Sequence, residues 1–135
     1  AATFFDLLRE RHHGPVVCEP RHGSWLAPRA DALLAEYRVG RVAADPVSTA
    51  AAAEPGGYLG PAGDGGGAVV YYRLHGAPRK YWDRYPVERV RSWAVALRRW
   101  PRTADAWCIF DNTAGSGAVE NALECLEHVA ARRGR

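Results

Sequence analysis

The sequence has no methionine, a single lysine (Lys80) among 18 basic residues, and no long apolar run. No stretch approaches the ~18 uninterrupted apolar residues of a membrane-spanning helix, so no membrane span is predicted. The opening AATFFDLLRERHH lacks a basic segment followed by a long apolar one, so no secretory signal is predicted. The missing methionine favours interpreting the chain as a piece of a longer protein.

Cysteine is scarce, and several catalytic motifs are missing. Cys18, Cys108 and Cys125 are 90 and 17 positions apart, which matches neither a zinc pattern nor a disulfide framework. We therefore expect buried, reduced thiols and a cytoplasmic protein. The sequence also has no GxSxG turn, and its glycine-rich stretch lacks the GK[ST] ending of a phosphate-binding loop. These absences exclude the common nucleophile-elbow hydrolases and P-loop proteins.

The composition predicts one globular domain spanning 1–135. Hydrophobic residues make up 47% and charged residues 24%, both ordinary values for such a domain. The segment 46–67 is rich in glycine and proline and is predicted to be a flexible loop, and 130–135 is predicted to be a basic tail.

Short apolar runs alternate with helical patterns along the chain. Helices are predicted to begin near Thr3, Pro28, Pro86 and Ser116, because serine, threonine and proline favour helix starts. The second helix is predicted to end at Gly40. Predicted strands occupy 16–21, 41–46, 68–76 and 106–112. This alternation indicates the α/β class with a parallel sheet built from βα units.

The last predicted helix has an apolar face of five residues, all expected to point inward: Ala118, Ala122, Cys125, Leu126 and Val129.

Polar or charged residues stand at the end of every predicted strand. In parallel α/β proteins the carboxyl ends of the strands meet at one edge, where ligands bind. Buried charges there are costly unless they are paired, so either a functional site or a purely structural ion-pair network is expected. The residues are Glu19, Arg21, Asp45, Arg73, His75, Asp111 and Asn112.

The first functional hypothesis is an enzyme acting on a small anionic or sugar-like molecule. Glu19 and His75 are candidate acids or bases, since each needs only a modest pKa shift to work near neutrality. Asp45 is the third catalytic candidate. Arg21 and Arg73 suit a phosphate or carboxylate because a guanidinium binds these groups in a bidentate manner. Tyr81 and Asn112 complete the substrate-binding candidates.

Three of the same residues are also candidate metal ligands. Glu19, His75 and Asp45 offer the mixed nitrogen and oxygen ligands that divalent metals accept. Arg21 and Arg73 oppose a nearby cation, so no metal site is predicted, and the sequence identifies no cofactor.

The second hypothesis is a nucleic-acid-binding module. Residues 73–102 carry nine cations against two acids, and Tyr81, Trp82 and Tyr85 could stack on bases. Trp93 and Trp100 recur at helical spacing and are expected to pack in the interior. A nucleic-acid partner is therefore disfavoured relative to a small anionic ligand.

Three motifs resemble the domain-of-unknown-function 72 (YecE-like) family. They are VCEPRHGSW at 17–25, VYYRLHG at 70–76 with the later Tyr81 and Tyr85, and FDN at 110–112 followed by Asn121. The sequence departs from the family pattern at Pro20 and Asp111. The resemblance implies a TIM-like β/α barrel of unestablished function, and it adds Trp25 to the candidate binding residues.

The resemblance covers only the second half of the family's domain, barrel strands five to eight. Four βα units leave unpaired strand edges and an apolar sheet face, whereas a complete barrel needs about 250 residues. The chain is therefore expected to need a homodimer partner or the missing N-terminal half-barrel, or to be a fragment. A non-catalytic half-barrel is the remaining functional alternative.

Overall fold

The computed structural model describes residues 1–47, 50–60 and 69–131. These residues form four α-helices and six short strands, with helical turns at Gly23–Leu26 and Ala50–Ala53. The helices are α1 (Ala2–Arg11), α2 (Pro28–Glu36), α3 (Val87–Arg98) and α4 (Gly117–Ala130). The strands are β1 (Val16–Cys18), β2 (Val39–Arg41), β3 (Ala43–Asp45), β4 (Gly56–Gly57), β5 (Val69–Leu74) and β6 (Asp105–Phe110).

The strands form two three-stranded sheets, ordered β1-β2-β4 and β3-β5-β6. Five of the strands pair in parallel with a neighbour from the next βα unit: β1 with β2, β3 with β5, and β5 with β6. Among the described strands only β4 is antiparallel, where Gly56 lies opposite Arg41. The predicted α/β class with parallel strands is therefore confirmed, although the strands divide between two sheets.

The strands β2 and β3 follow one continuous path that changes partner at Val42. The amide of Val42 still donates to Cys18 O at 2.9 Å, whereas Ala43 already lies opposite Tyr72 of β5. The expectation of a helix ending at Gly40 was wrong, because α2 stops at Glu36 and Gly40 lies inside β2. A glycine fits there because an added Cβ would lie 3.1 Å from Val69 O.

The helices bury one face of the strands. On β5, the alternate residues Val70, Tyr72 and Leu74 are almost fully buried in a cluster that includes Val90 and Trp93 of α3. A smaller cluster joins Phe5 of α1, Leu34 of α2 and Val39 of β2. The burial follows from the two-residue period of a strand, which places every second side chain on the helix side.

The opposite face carries the other set of alternate side chains. Tyr71, Arg73 and His75 lie on this face of β5, and the face is open at its β6 side, where Trp107 is 53% exposed. Because the helices lie on the other side, this open face holds the charged residues described below.

The glycine-rich segment contains more order than its composition predicts. Within the expected loop 46–67, Ala50–Ala53 forms a helical turn and Gly56–Gly57 pairs with β2. Gly57 has a φ of 64°, a conformation that glycine adopts without strain. Two adjacent glycines have no side chains and give no apolar pattern, so this strand was not expected. The expected loop's residues 48–49 and 61–67 lie outside the described residues, as do 132–135 of the expected tail.

Three expectations about the helices need correction. Thr3 lies inside α1, which begins at Ala2. Ser116 does precede α4, but its side chain makes no capping hydrogen bond with the described residues. Ala122 and Leu126 were expected to be buried, yet both are exposed, Leu126 by 63%.

No helix in the described part of the chain is long and apolar enough to cross a membrane.

Candidate functional site

Charged residues from three different strands meet at the carboxyl edge of the open face. Glu19 follows β1 directly, His75 follows β5, and Asp111 follows β6. Arg73 shares the face of His75 because the two residues are two positions apart on an extended strand. Parallel pairing of β5 with β6 places Arg73 opposite Ile109, so the ends of both strands lie side by side.

Arg73 joins the two carboxylates. Its Nη1 lies 2.7 Å from Glu19 Oε2, and its Nη2 lies 2.9 Å from Asp111 Oδ2. The hydrogen bond to Glu19, reinforced by the charges of both carboxylates, raises the pKa of Arg73 above its ordinary value. The guanidinium is therefore engaged on both sides and orients the carboxylates.

His75 is the most buried member of the cluster, with only 1% of its surface exposed. Its Nδ1 lies 2.7 and 2.9 Å from the two carboxylate oxygens of Asp111. A carboxylate accepts hydrogen bonds, so this contact assigns the proton to Nδ1 and turns Nε2 toward Glu19. That Nε2 lies 3.4 Å from Glu19 Oε1 and makes no hydrogen bond with the described residues.

Glu19 is kept ionised by its neighbours. Burial by itself raises the pKa of this carboxyl, but the hydrogen bond and charge of Arg73 outweigh burial, with smaller contributions from Arg21 and His75. The pKa of Glu19 is therefore held below its ordinary value. Near neutral pH the side chain is a carboxylate facing the buried ring.

A small open pocket of about 170 Å³ lies beside His75 and Glu19. Arg21 and Lys80 are among its lining residues. The Arg21 side chain is 63% exposed and lies 3.2 Å from Glu19 Oε1. The pocket therefore places two cations with exposed or partly exposed side chains beside a buried imidazole.

Tyr81 was expected to bind substrate, and it lies against the ring of His75. The two rings are nearly perpendicular, with centroids 5.3 Å apart. Its backbone has a φ of 69°, which is unusual for a bulky residue, and its amide donates to His75 O. The unusual backbone therefore fixes this aromatic ring against the imidazole.

Three expected site residues lie on the helix side instead. Asp45 forms an ion pair with Arg89 of α3, in which Oδ1 of Asp45 lies 2.6 Å from Nη2 of Arg89. Asn112 is fully buried and donates to Asp83 O at 3.0 Å. Trp25 packs edge-on against Phe5, with ring centroids 6.3 Å apart.

Alternation of side chains explains part of this separation. Asp45 is two residues beyond Ala43, which packs in the helix-side core, so both lie on that side of the strand. By the same alternation Asp111 and Asn112 point to opposite sides. Asn112 was predicted to lie in the site, whereas the structure brings Asp111 to His75. Phe110 is apolar and buried on the helix side, so the alternation of side chains along β6 was the sequence signal that could have distinguished Asp111 from Asn112. No sequence pattern identified Lys80 as a residue of the site.

A buried tyrosine holds the ends of two strands in place. The amide of Gly76 donates to the hydroxyl of Tyr85 at 2.8 Å, and that hydroxyl donates to Asp45 O at 3.0 Å. Burial, followed by the contact with Asp45, raises the pKa of Tyr85 far above its ordinary value. The hydroxyl therefore stays protonated and links the segments after β3 and β5.

Metal and nucleic-acid sites receive no comparable support. Across residues 1–47, 50–60 and 69–131, no group of three His, Cys, Asp or Glu side chains is arranged to hold a metal ion. In the basic segment, Arg84 pairs with Glu120 of α4, Arg89 pairs with Asp45, and Trp93 is buried. These cations and this aromatic residue therefore serve internal contacts.

Parallel βα units with an ion cluster at their carboxyl edge define an α/β protein with a strand-end site. The chain belongs to the family described as protein of unknown function DUF72, whose model matches residues 2–135. The family resemblance expected from the sequence is thereby confirmed. No curated protein matches the sequence.

Two solved structures of this family share the fold. A DUF72 family protein from Thermotoga maritima matches with a TM-score of 0.70 at 20% identity, covering 93% of this chain and 50% of that one. One from Enterococcus faecalis matches with a TM-score of 0.69 at 19% identity, covering 95% of this chain and 52% of that one. The chain thus spans about half the length of these solved relatives.

Proposed function

We propose that the strand-end cluster is an acid–base site for a small anionic molecule, with His75 as the group that exchanges a proton with it. The observation that carries this proposal is the position of Nε2. It belongs to the buried ring of a residue that lines the pocket, and it makes no hydrogen bond with the described residues. A buried polar atom without a partner is costly, so a ligand group that binds it gains free energy.

The neighbours of His75 divide the chemical work. Asp111 holds the Nδ1 proton and fixes the ring, which leaves Nε2 to accept a proton from a bound molecule. Glu19 lies 3.4 Å from Nε2 and can stabilise the imidazolium that forms. Arg73 binds both carboxylates and holds the pKa of Glu19 below its ordinary value, which makes it a positioning residue in this scheme.

The cations of the pocket favour an anion over a neutral sugar. Arg73 is occupied by Glu19 and Asp111, whereas Arg21 has an exposed side chain and Lys80 lines the same pocket. A volume of about 170 Å³ accommodates a group as small as a phosphate or a carboxylate. The substrate class is therefore a small phosphorylated or carboxylated molecule.

Calorimetric titration with inorganic phosphate tests the anion site. We expect Arg21→Ala and Lys80→Ala each to weaken binding roughly tenfold, equivalent to about 1.4 kcal/mol. Arg29→Ala removes an exposed cation of α2 and is the matched control. The proposal is wrong if all three variants bind phosphate equally, or if an uncharged sugar binds as well as its phosphate ester.

Proton exchange needs a separate measurement. Once a turned-over anion is found, His75→Gln should abolish turnover while changing anion affinity less than the two cation variants do, since glutamine removes the base and keeps a polar group. Equal turnover by His75→Gln would contradict the role of His75 and would leave the anion site intact.

We also propose that the chain forms four consecutive units of an eight-unit β/α barrel. Support comes from the parallel pairing of neighbouring units and from the half-length match to the solved relatives. Among the described residues, β1 pairs only with β2 and β6 only with β5, so both outer strands have a free edge. A barrel needs such edges to be paired.

Exposed apolar side chains lie on the helices that flank these two strands in the sequence. Phe4 and Leu7 are exposed on α1, which precedes β1, and Val119, Leu123 and Leu126 are exposed on α4, which follows β6. A second half-barrel, either another copy or a separate N-terminal half, would cover these helices and close the sheet.

Light scattering behind a sizing column tests this completion. A homodimer of twice 14.8 kDa is expected if two copies close one barrel. Leu123→Glu should then reduce the measured mass to that of the monomer. Val95→Glu, an equally large change at an exposed position of α3, should leave the mass unchanged. A monomer that binds a dye specific for exposed apolar surface would indicate that the partner is a separate N-terminal half-barrel and not a second copy. A monomer that binds no such dye would contradict the half-barrel.

A further inference from the structure

Two of the three cysteines pack in the same core cluster, on the face of β6 opposite to the candidate site. Cys108 is half-buried on the helix side of β6, and Cys125 is 4% exposed on the facing side of α4. Both pack into the larger core cluster. Cys18 belongs to β1, in the other sheet. The fold therefore creates one thiol pair and one separate thiol.

Both cysteines line the same groove, Cys108 from β6 and Cys125 from α4. The neighbouring Cys108 thiol lowers the pKa of Cys125 from its ordinary value, against the opposing effect of burial. The groove has a volume of about 830 Å³ and runs between β6, α4 and the end of α3. Its other lining residues are mostly apolar, including Leu97, Trp100 and Leu126. The groove therefore borders both cysteines and has room for a small neutral molecule.

We propose that Cys108 and Cys125 form an oxidisable dithiol, which hydrogen peroxide or a related peroxide converts into a disulfide between β6 and α4. In the first step the thiolate of Cys125 attacks the peroxide, giving a sulfenic acid and hydroxide. In the second step the Cys108 thiol attacks that sulfur and releases water. Two thiols lose two electrons and two protons, and one peroxide becomes two waters.

The disulfide would close a loop of residues 109–124 that contains part of the candidate site. Asp111, the partner of His75, lies in this loop. A disulfide restricts mainly the unfolded chain and holds the two linked elements together. Oxidation would thus fasten the last βα unit, including the segment that carries Asp111.

Peptide mass spectrometry gives a direct test because of the positions of the cleavage sites. The sequence has no Lys or Arg between Arg102 and Arg132, so trypsin leaves Cys108 and Cys125 in one peptide, 103–132. Cys18 is released in a different peptide, 12–21. After mild peroxide treatment of the folded chain, we expect peptide 103–132 to lose the mass of two hydrogen atoms, and the free thiols to fall from three to one.

Variants separate pairing from general thiol oxidation. Cys108→Ser and Cys125→Ser should each abolish the mass loss, whereas Cys18→Ser, the matched control, should leave its rate unchanged. A reducing dithiol should restore all three thiols in the unmodified chain. A cross-link to peptide 12–21, oxygen addition to one cysteine without pairing, or three thiols that survive peroxide would each overturn the proposal. The readout on the unmodified chain does not depend on any variant folding.

Discussion

His75 and Asp111 form a direct side-chain pair across the ends of β5 and β6, with Nδ1 2.7 Å from the nearer carboxylate oxygen. The pair depends on parallel strand register, because the two residues are 36 positions apart in the sequence and adjacent in the fold. Arg73 binds the same carboxylate, so Asp111 is held from two directions.

Asp111→Asn should release the imidazole from a single tautomer. An amide can donate as well as accept, so it no longer requires the proton on Nδ1. We expect long-range ¹H–¹⁵N NMR spectra to change from one His75 tautomer to a mixture, with a stability loss of about 1 kcal/mol from the partly exposed ion pair with Arg73. Asp105→Asn, at the exposed start of β6, is the control and should leave the His75 signals unchanged.

Glu19 should contribute to unfolding in acid. Its folded pKa is depressed, so the unfolded chain binds more protons below the ordinary value of 4.5, and stability falls as pH falls through that range. The contribution is complete above the ordinary pKa. We expect Glu19→Gln to flatten the acid limb of a plot of unfolding free energy against pH. An unchanged slope below pH 4.5 would show that Glu19 is not held as a carboxylate.

Tyr85→Phe should destabilise the fold by about 1–3 kcal/mol, because it leaves the buried Gly76 amide without its acceptor. Tyr37→Phe removes an exposed hydroxyl contact with Asp6 and should cost less than about 1 kcal/mol. Urea unfolding of both variants measures the difference. Equal midpoints for the two variants would argue against the strand-end link.

Gly76→Ala should also be destabilising, by about 1–3 kcal/mol. Gly76 has a φ of 91°, and an added Cβ would lie 2.7 Å from Asp83 O and 2.9 Å from Asn112 Cβ. Gly23→Ala is the matched control, since its Cβ would meet nothing within 4 Å. Thermal unfolding should show a lower midpoint for Gly76→Ala alone, and a similar shift in both would contradict the steric argument.

The sequence predicted the larger elements because their patterns are strong. Pro28 begins α2 as expected, and the β-branched and aromatic run at 68–76 contains β5. It did not predict the division of the sheet at Val42. That division depends on which neighbour each backbone amide meets, and these neighbours are distant in the chain.

The candidate site was only partly predictable for a similar reason. Glu19, Arg73 and His75 were correctly placed together, because strand ends of parallel units meet at one edge. Asp45 was assigned to the same cluster, but side-chain parity directs it to Arg89 on the helix side. Successive side chains of a strand point to opposite faces, so an error of one residue in the strand's position assigns every side chain to the wrong face. Composition alone therefore does not distinguish Asp111 from Asn112.

The pairing of each parallel strand with its predecessor has a consequence for biosynthesis. β1 meets β2, and the path through β3 then meets β5, which meets β6, so every parallel contact forms with a strand already made. A nascent chain can therefore add its units one after another as they leave the ribosome, with short loop closures at each step. Of the strands in the described residues, β6 would emerge last, and its outer edge would stay open until another strand pairs with it.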